Sequence, residues 1–421
     1  MNHDIAHASA YTSAHTSALP FSTDSLDGLA ARIATGATIV GIGGSTRFSH
    51  EVSGLQDQLF RRLVTQHGFR LLALQEHAGA ADRLDRYVRT GEGSAESALD
   101  ASWRPWRTTE TAAALRWIRA FNRDHPDDQV RIIGTKPAQA QHEDYDAVLG
   151  HVRAVAPDRL PELAAHLEPI RTAHDLDEHV QRSQGVHPGR PFAEHARDAL
   201  ALLTSLTTAE GAKGGEAVLA RMRLIVDFHE QSVAGRGSFG GEDDAAADML
   251  AGHQRRTGLR MVFWDGIAHT SAAPFRLGMV SDGALMPSIG SELRARYGAG
   301  YVAVAIGFHH GDLGVVTVPE PPADFLDAEL GRADTPAHWL DLRGEHAGDG
   351  ERGEHAGDGE RGEDIRRRWA GPAKMRVISG VYDPAQDADA YLSVASLTAA
   401  FDVLAHVHEA HAAHWLEGVR H

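Results

Sequence analysis

The chain has 421 residues, enough for one large domain or two ordinary ones around a buried core. Its 42% hydrophobic and 24% charged content excludes wholesale disorder, and 41 basic against 58 acidic side chains, a net −17, argue against nucleic acid or an anionic membrane as partner. The absence of cysteine removes disulfides, thiol nucleophiles and cysteine-held metal clusters, and a reducing, cytoplasmic setting is expected.

Residues 1–26, rich in Ser, Thr, Ala and His, lack periodicity and are expected to form a loose arm; the pattern of a secretory leader is missing. No apolar run reaches membrane-spanning length. Order begins with the β-branched run 37–42, read as a buried strand, followed by a glycine-rich turn from Gly43 to His50. Val52, Leu55, Leu59, Phe60, Leu63 and Val64 recur at helical spacing, predicting a helix over 51–66 that Gly68 ends. A second strand over 69–74 runs directly into Gln75, Glu76 and His77. These two strands are expected to be parallel and adjacent.

The same grammar recurs. Leu115, Trp117, Ile118 and Phe121 mark a helix before a strand at 129–134. The chain from about 140 to 255 carries no strand signal and reads as a helical insertion, with helices near 144–170, 192–206 and 214–234. Strands at 260–264 and 301–306 lead into Asp265–His269 and Gly307–Asp312, and 376–382 reads as one more strand. Residues 343–364 repeat Arg-Gly-Glu-His-Ala-Gly-Asp-Gly-Glu, a sequence with nothing to bury and expected to be a surface loop. His406, His408, His411 and His414 read as a solvated helix face. The predicted fold is α/β: a mostly parallel central sheet flanked by helices, residues 27–421, interrupted by the long helical insertion.

In such sheets ligands collect beyond the carboxyl ends of the strands, so the polar loops 43–51, 75–77, 134–136, 265–269 and 307–312 point to one cleft. The turn Gly41-Ile-Gly43-Gly44 fails as a dinucleotide fingerprint because Thr46 stands where the third glycine belongs, and no Gly-Lys-Ser/Thr follows to make a phosphate loop. There is no G-x-S-x-G nucleophile elbow and no HExxH pair. Glu76 and His269, each at a strand end, have the chemistry for proton transfer. His309, His310 and Asp312 form the densest polar cluster after a strand.

The order of segments from about 27 to 418 resembles the erythromycin esterase superfamily. Ile39 to Glu51 is similar to its opening strand and G-x-G-E-x-T-H-G block, and Leu72 to Glu76 to its next strand. Trp103 to Asn122 resembles its tryptophan-marked helix, Trp264 to His269 the HNxH strand end, and Phe401-Asp402 its C-terminal pair. In hydrolytic members the resemblance implies a histidine that activates water against a macrolide lactone, helped by glutamates and the HNxH histidines. Here the family's first glutamate falls on Gly44, its general-base histidine on Arg47, and the first HNxH histidine and asparagine on Gly266 and Ile267. Glu76 and His269 are kept.

Arginine stays protonated and takes no proton from water. Arg47 is therefore expected to anchor or polarise an oxygen. The candidate catalytic groups are Glu76, His269 and His50, and the candidate substrate-binding groups are Arg47, Ser45, Thr46, His77, Asp265, His309 and His310. The expected partner is a small-molecule natural-product intermediate, with no cofactor and no metal. A binding protein that has kept only the fold is one alternative; a metal-dependent hydrolase built on His50, Glu76, His269 and His309 is another.

Overall fold

In this computed structural model the described residues run from 19 to 418, except 137–138, 188, 211–214, 238–242, 281–282, 344–366 and 368. The repeat loop and residues 1–18 of the expected arm thus lie outside them. The chain is already ordered before residue 27: the helix Thr23–Ala34 starts on a Ser22 cap.

Among the described residues, twelve strands form two sheets. They are β1 (Leu19–Pro20), β2 (Ile39–Gly44), β3 (Phe69–His77), β4 (Arg131–Lys136), β5 (Arg260–Gly266), β6 (Phe275–Leu277), β7 (Tyr301–Asp312), β8 (Thr317–Val318), β9 (Ala337–Asp341), β10 (Ala373–Arg376), β11 (Tyr391–Val394) and β12 (Val403–His411). The main sheet has the order β4-β3-β5-β2-β7-β12-β9-β1, with β8 paired to β7. From β4 to β12 every pairing is parallel; β9, β1 and β8 join antiparallel. Helices cover both faces, which is why β2 is buried at all six positions instead of alternating.

Three expectations about the fold are corrected. β2 and β3 are parallel but not adjacent, because β5 slots between them and pairs with both. The helix His50–His67, capped by Ser49 and ended by Gly68 at φ 69°, is the crossover that steps over the gap. The four C-terminal histidines do not lie on a helix. Val403, Ala405 and Val407 pack on one face of β12 while Leu404 packs on the other, a period of two, and His406 is 1% exposed. The expected strand at 376–382 is displaced upstream to β10, which forms a separate antiparallel sheet with β11 and β6. Beyond Arg376 the chain instead hooks over the glycine turn, where Ile378 N–H donates to Ser45 O at 2.8 Å.

The described chain from His142 to Thr257 is helical between β4 and β5, and the part from Ala140 to Phe228 builds its own apolar core around Tyr145, Phe192 and Met222. No described helix is long and apolar enough to cross a membrane.

Candidate functional site

The glycines of β2 serve packing. A Cβ on Gly41 would lie 2.2 Å from the Tyr301 hydroxyl, and one on Gly43 would lie 2.0 Å from Thr270 Oγ1. This close approach lets the short helix Ile267–Thr270 sit against the end of β2. The ends of β2, β5 and β3 consequently open side by side.

Arg47, in the loop after β2, spans all three ends. Its Nη2 donates to Asp265 Oδ1 and, at 2.5 Å, to Gln75 Oε1, while the guanidinium lies 4.9 Å from the ring centroid of Trp103. Asp265 is buried; its Oδ1 also accepts from Gly266 N–H at 2.6 Å. Buried Asp265 Oδ2, Arg47 Nε and Ser45 Oγ have no protein partner among the described residues. Orphaned polar atoms of this kind mark a place where water or ligand completes the bonding. The small, partly open cavity here, lined by Arg47, Gln56, Trp106, Glu110, Trp264 and Asp265 among others, measures about 20 Å³, room for about one water.

His269 stands beside this pair with a side chain 35% exposed. Its Nδ1 faces Asp243 Oδ1 at 3.4 Å and its Nε2 faces the Gln75 amide nitrogen at 3.5 Å. Burial opposes protonation of the ring, but the carboxylates of Asp265 and Asp243 outweigh it and raise the His269 pKa above the ordinary imidazole value. In the tautomer that directs Nδ1–H to Asp243, the neutral ring presents Nε2 as its basic atom.

Glu76 plays a different part. It is 1% exposed, and its oxygens accept from His77 N–H at 2.9 Å and Trp103 N–H at 2.7 Å. Burial pushes its pKa up to about 7 against the pull of those donors. None of its contacts is with His269 or Arg47: the two groups expected to share a proton are joined only indirectly, through Trp103 and Gln75. Adjacent strand residues point to opposite sides, so Gln75 is the one that reaches Arg47 and His269. His77 caps the helix Ala78–Thr90 through Nδ1, and burial drives its pKa down to about 4.

The other candidates scatter. Ser45 and Thr46 are buried in the turn, with Thr46 Oγ1 accepting from Phe48 N–H. His50 leaves the cleft and pairs with Glu110. His309 and His310 lie three and four residues beyond Ile306, the partner of Gly44, hence about 10 Å further along β7. They cluster with His408, and burial followed by the neighbouring imidazoles lowers His309 to about 4. His50, Glu76, His269 and His309 do not converge into a ligand set. A larger groove of about 720 Å³, lined by Phe21, His50, Pro336 and His408 among others, touches neither Arg47 nor His269.

Sequence reasoning passed over Gln75, Asp243 and Trp103 as site groups. The strand-end position of Gln75 was the available signal; Asp243 is 22 residues upstream of Asp265 and has none.

Arg47 and Gly266 are coupled. A Cβ at Gly266 would lie 3.3 Å from Arg47 Nη2 and 3.4 Å from Nη1, so the guanidinium fills space that a larger residue at 266 would need.

A family model described as erythromycin esterase matches residues 64–410. A Bacillus cereus protein of known structure is similar over 96% of this chain and 97% of its own, with TM-score 0.62 and 18% identity. A succinoglycan biosynthesis protein is similar over 97% and 98%, with TM-score 0.59 and 19% identity. An erythromycin esterase mutant in its open conformation is similar over 93% and 94%, with TM-score 0.53 and 15% identity. No curated protein matches the chain.

Proposed function

Since this chain belongs to the erythromycin esterase family, we propose that it is a diverged member that works by acid/base chemistry on an oxygen-bearing small molecule, a natural-product intermediate. The observation that carries this reading is the partly open His269, backed by Asp243 and set beside the Arg47–Asp265 pair. His269 Nε2 moves the proton, Asp243 orients the ring, and Arg47 holds an oxygen of the substrate. Glu76, expected to share the proton transfer, is a positioning residue that fixes Trp103 beneath Arg47.

Water activation by the family's histidine is closed to this chain, because a guanidinium is not a base. Such a base supplies about 10²–10⁴ in rate, or roughly 3–5 kcal/mol of barrier. Cyclisation, elimination or isomerisation needs only a positioned proton and an anchored oxygen. Ester or lactone hydrolysis then requires His269 as base. The cavity at Arg47 admits little more than a water, so substrate approaches from the exposed side of His269.

The test is to incubate the purified chain with erythromycin and with a panel of aryl esters, lactones and β-hydroxy carbonyl compounds, reading products by mass. Erythromycin is expected to stay closed; rapid ring opening would show that Arg47 does not block the family reaction. Small-molecule binding that survives His269→Ala, with no turnover of any compound by the wild type, would identify a binding protein instead.

A further inference from the structure

His50 opens the helix His50–His67, Glu110 lies in the first turn of the helix Thr109–Asp124, and His414 follows β12, yet the three meet. Both imidazole Nδ1 atoms lie 2.7 Å from Glu110 Oε1, the rings stand edge to face at 5.2 Å, and all three donor atoms fall within 4.8 Å of one another. The carboxylate side chain is 9% exposed and the imidazoles 52% and 67%, so an anchored oxygen supports two nitrogens that solvent can reach. We propose that His50, Glu110 and His414 form a binding site for a borderline divalent transition metal of the zinc type, which shares Glu110 with the lining of the Arg47 cavity but takes no ligand from Arg47, Asp265 or His269.

The donor set carries the argument. Two neutral imidazole nitrogens and one carboxylate oxygen suit zinc-like ions; calcium and magnesium take oxygen ligands. With metal–ligand bonds of about 2.1 Å, neighbouring donor atoms stand about 3.0–3.4 Å apart. Each histidine therefore has to withdraw from Glu110 by a few tenths of an ångström while the two imidazole donors, now within 4.8 Å of each other, settle about 3.0–3.4 Å apart, and both side chains are exposed enough to move. A nearby pair lacks this completeness: His411 and Glu51 contact each other at 2.8 Å but bring in no third ligand.

The backbone at the site is already braced. Thr109 N–H donates to His414 O at 2.7 Å, and Glu110 accepts from His414 N–H at 3.2 Å. Trp415, the next residue, packs on Phe48 at 6.1 Å and lies under Arg104 at 5.1 Å. A metal here fastens the segment after β12 to two helix starts and, through Phe48, to the loop that carries Arg47.

The experiment is calorimetric titration of the full-length, tag-free chain with zinc chloride, with thermal unfolding read alongside. One equivalent is expected to bind and to raise Tm. His414→Ala, His50→Ala and Glu110→Gln are each expected to weaken that binding about 10-fold or more and to abolish the Tm rise. The neighbouring variants His411→Ala and His408→Ala should leave both unchanged. Because His50 and His414 are exposed, either variant serves if the other perturbs folding. No saturable binding to the wild type, or one-equivalent binding that His414→Ala and His50→Ala both retain, overturns the proposal.

Discussion

His269 and His229 sit in two parts of the molecule that treat the same side chain in opposite ways. His269, at the strand ends, is partly exposed and faces two carboxylates, which raise its pKa. His229, in the helical segment between β4 and β5, is 1% exposed among Phe192, Phe228 and the Tyr145 hydroxyl, which lies 2.8 Å from its Nε2. Burial drives its pKa down to about 3. His174, 3.2 Å from the same hydroxyl, is lowered to about 3 by burial and then by neighbouring imidazoles. One region keeps a proton available; the other shuts it out. A histidine is informative about function only together with what surrounds it.

The largest expected effect breaks the comparison at the first of these centres. His269→Ala should lower turnover about 10²–10⁴-fold, or roughly 3–5 kcal/mol of barrier, while leaving Tm nearly unchanged. Glu76→Gln should do the reverse: it replaces one accepting oxygen by an amide, so a buried N–H loses its partner and about 1–3 kcal/mol of stability is lost. Steady-state kinetics and urea unfolding of the two variants separate proton carrier from positioning residue. Equal losses of turnover would put Glu76 back in the chemistry.

The second centre is sharpened by pH. A folded-state pKa below the unfolded value means that the unfolded chain binds the proton first, so His229 costs stability as pH falls from about 6.5 towards about 3. At pH 5 that amounts to about 2 kcal/mol for His229. His269 has the opposite sign, its contribution being present in acid and lost as pH rises through its raised pKa. Urea midpoints from pH 7 to pH 4 are expected to fall, and His229→Gln should flatten that fall; a midpoint insensitive to this substitution would contradict the burial argument.

The smallest expected effect concerns Arg47. Gly266→Ala places a methyl 3.3 Å from the guanidinium, close enough to push it a few tenths of an ångström away from Asp265 and Gln75. A stability loss of about 1 kcal/mol and weaker substrate binding are expected, measured by thermal unfolding and by KM. Unchanged values for both would show that the position of Arg47 does not depend on the absence of a side chain at residue 266.

The residues by themselves determined the α/β class, β2 to within two residues and the helix His50–His67, because hydrophobic period and glycine stops are local properties. They also placed an arginine, a side chain that takes up no proton, in the turn after β2. What only the tertiary structure decided is who meets whom. β5 enters between β2 and β3 after a detour of more than a hundred residues, and no local pattern encodes that order. Alternation at the end of β3 turned Gln75 towards Arg47 and His269 while Glu76 was taken up by backbone N–H groups. Ala- and His-rich β12 carries good helix formers, yet pairing with β7 and β9 made it a strand and delivered His414 to Glu110. Side-chain chemistry can be read along the chain; its direction and its neighbours follow from long-range closure of the sheet.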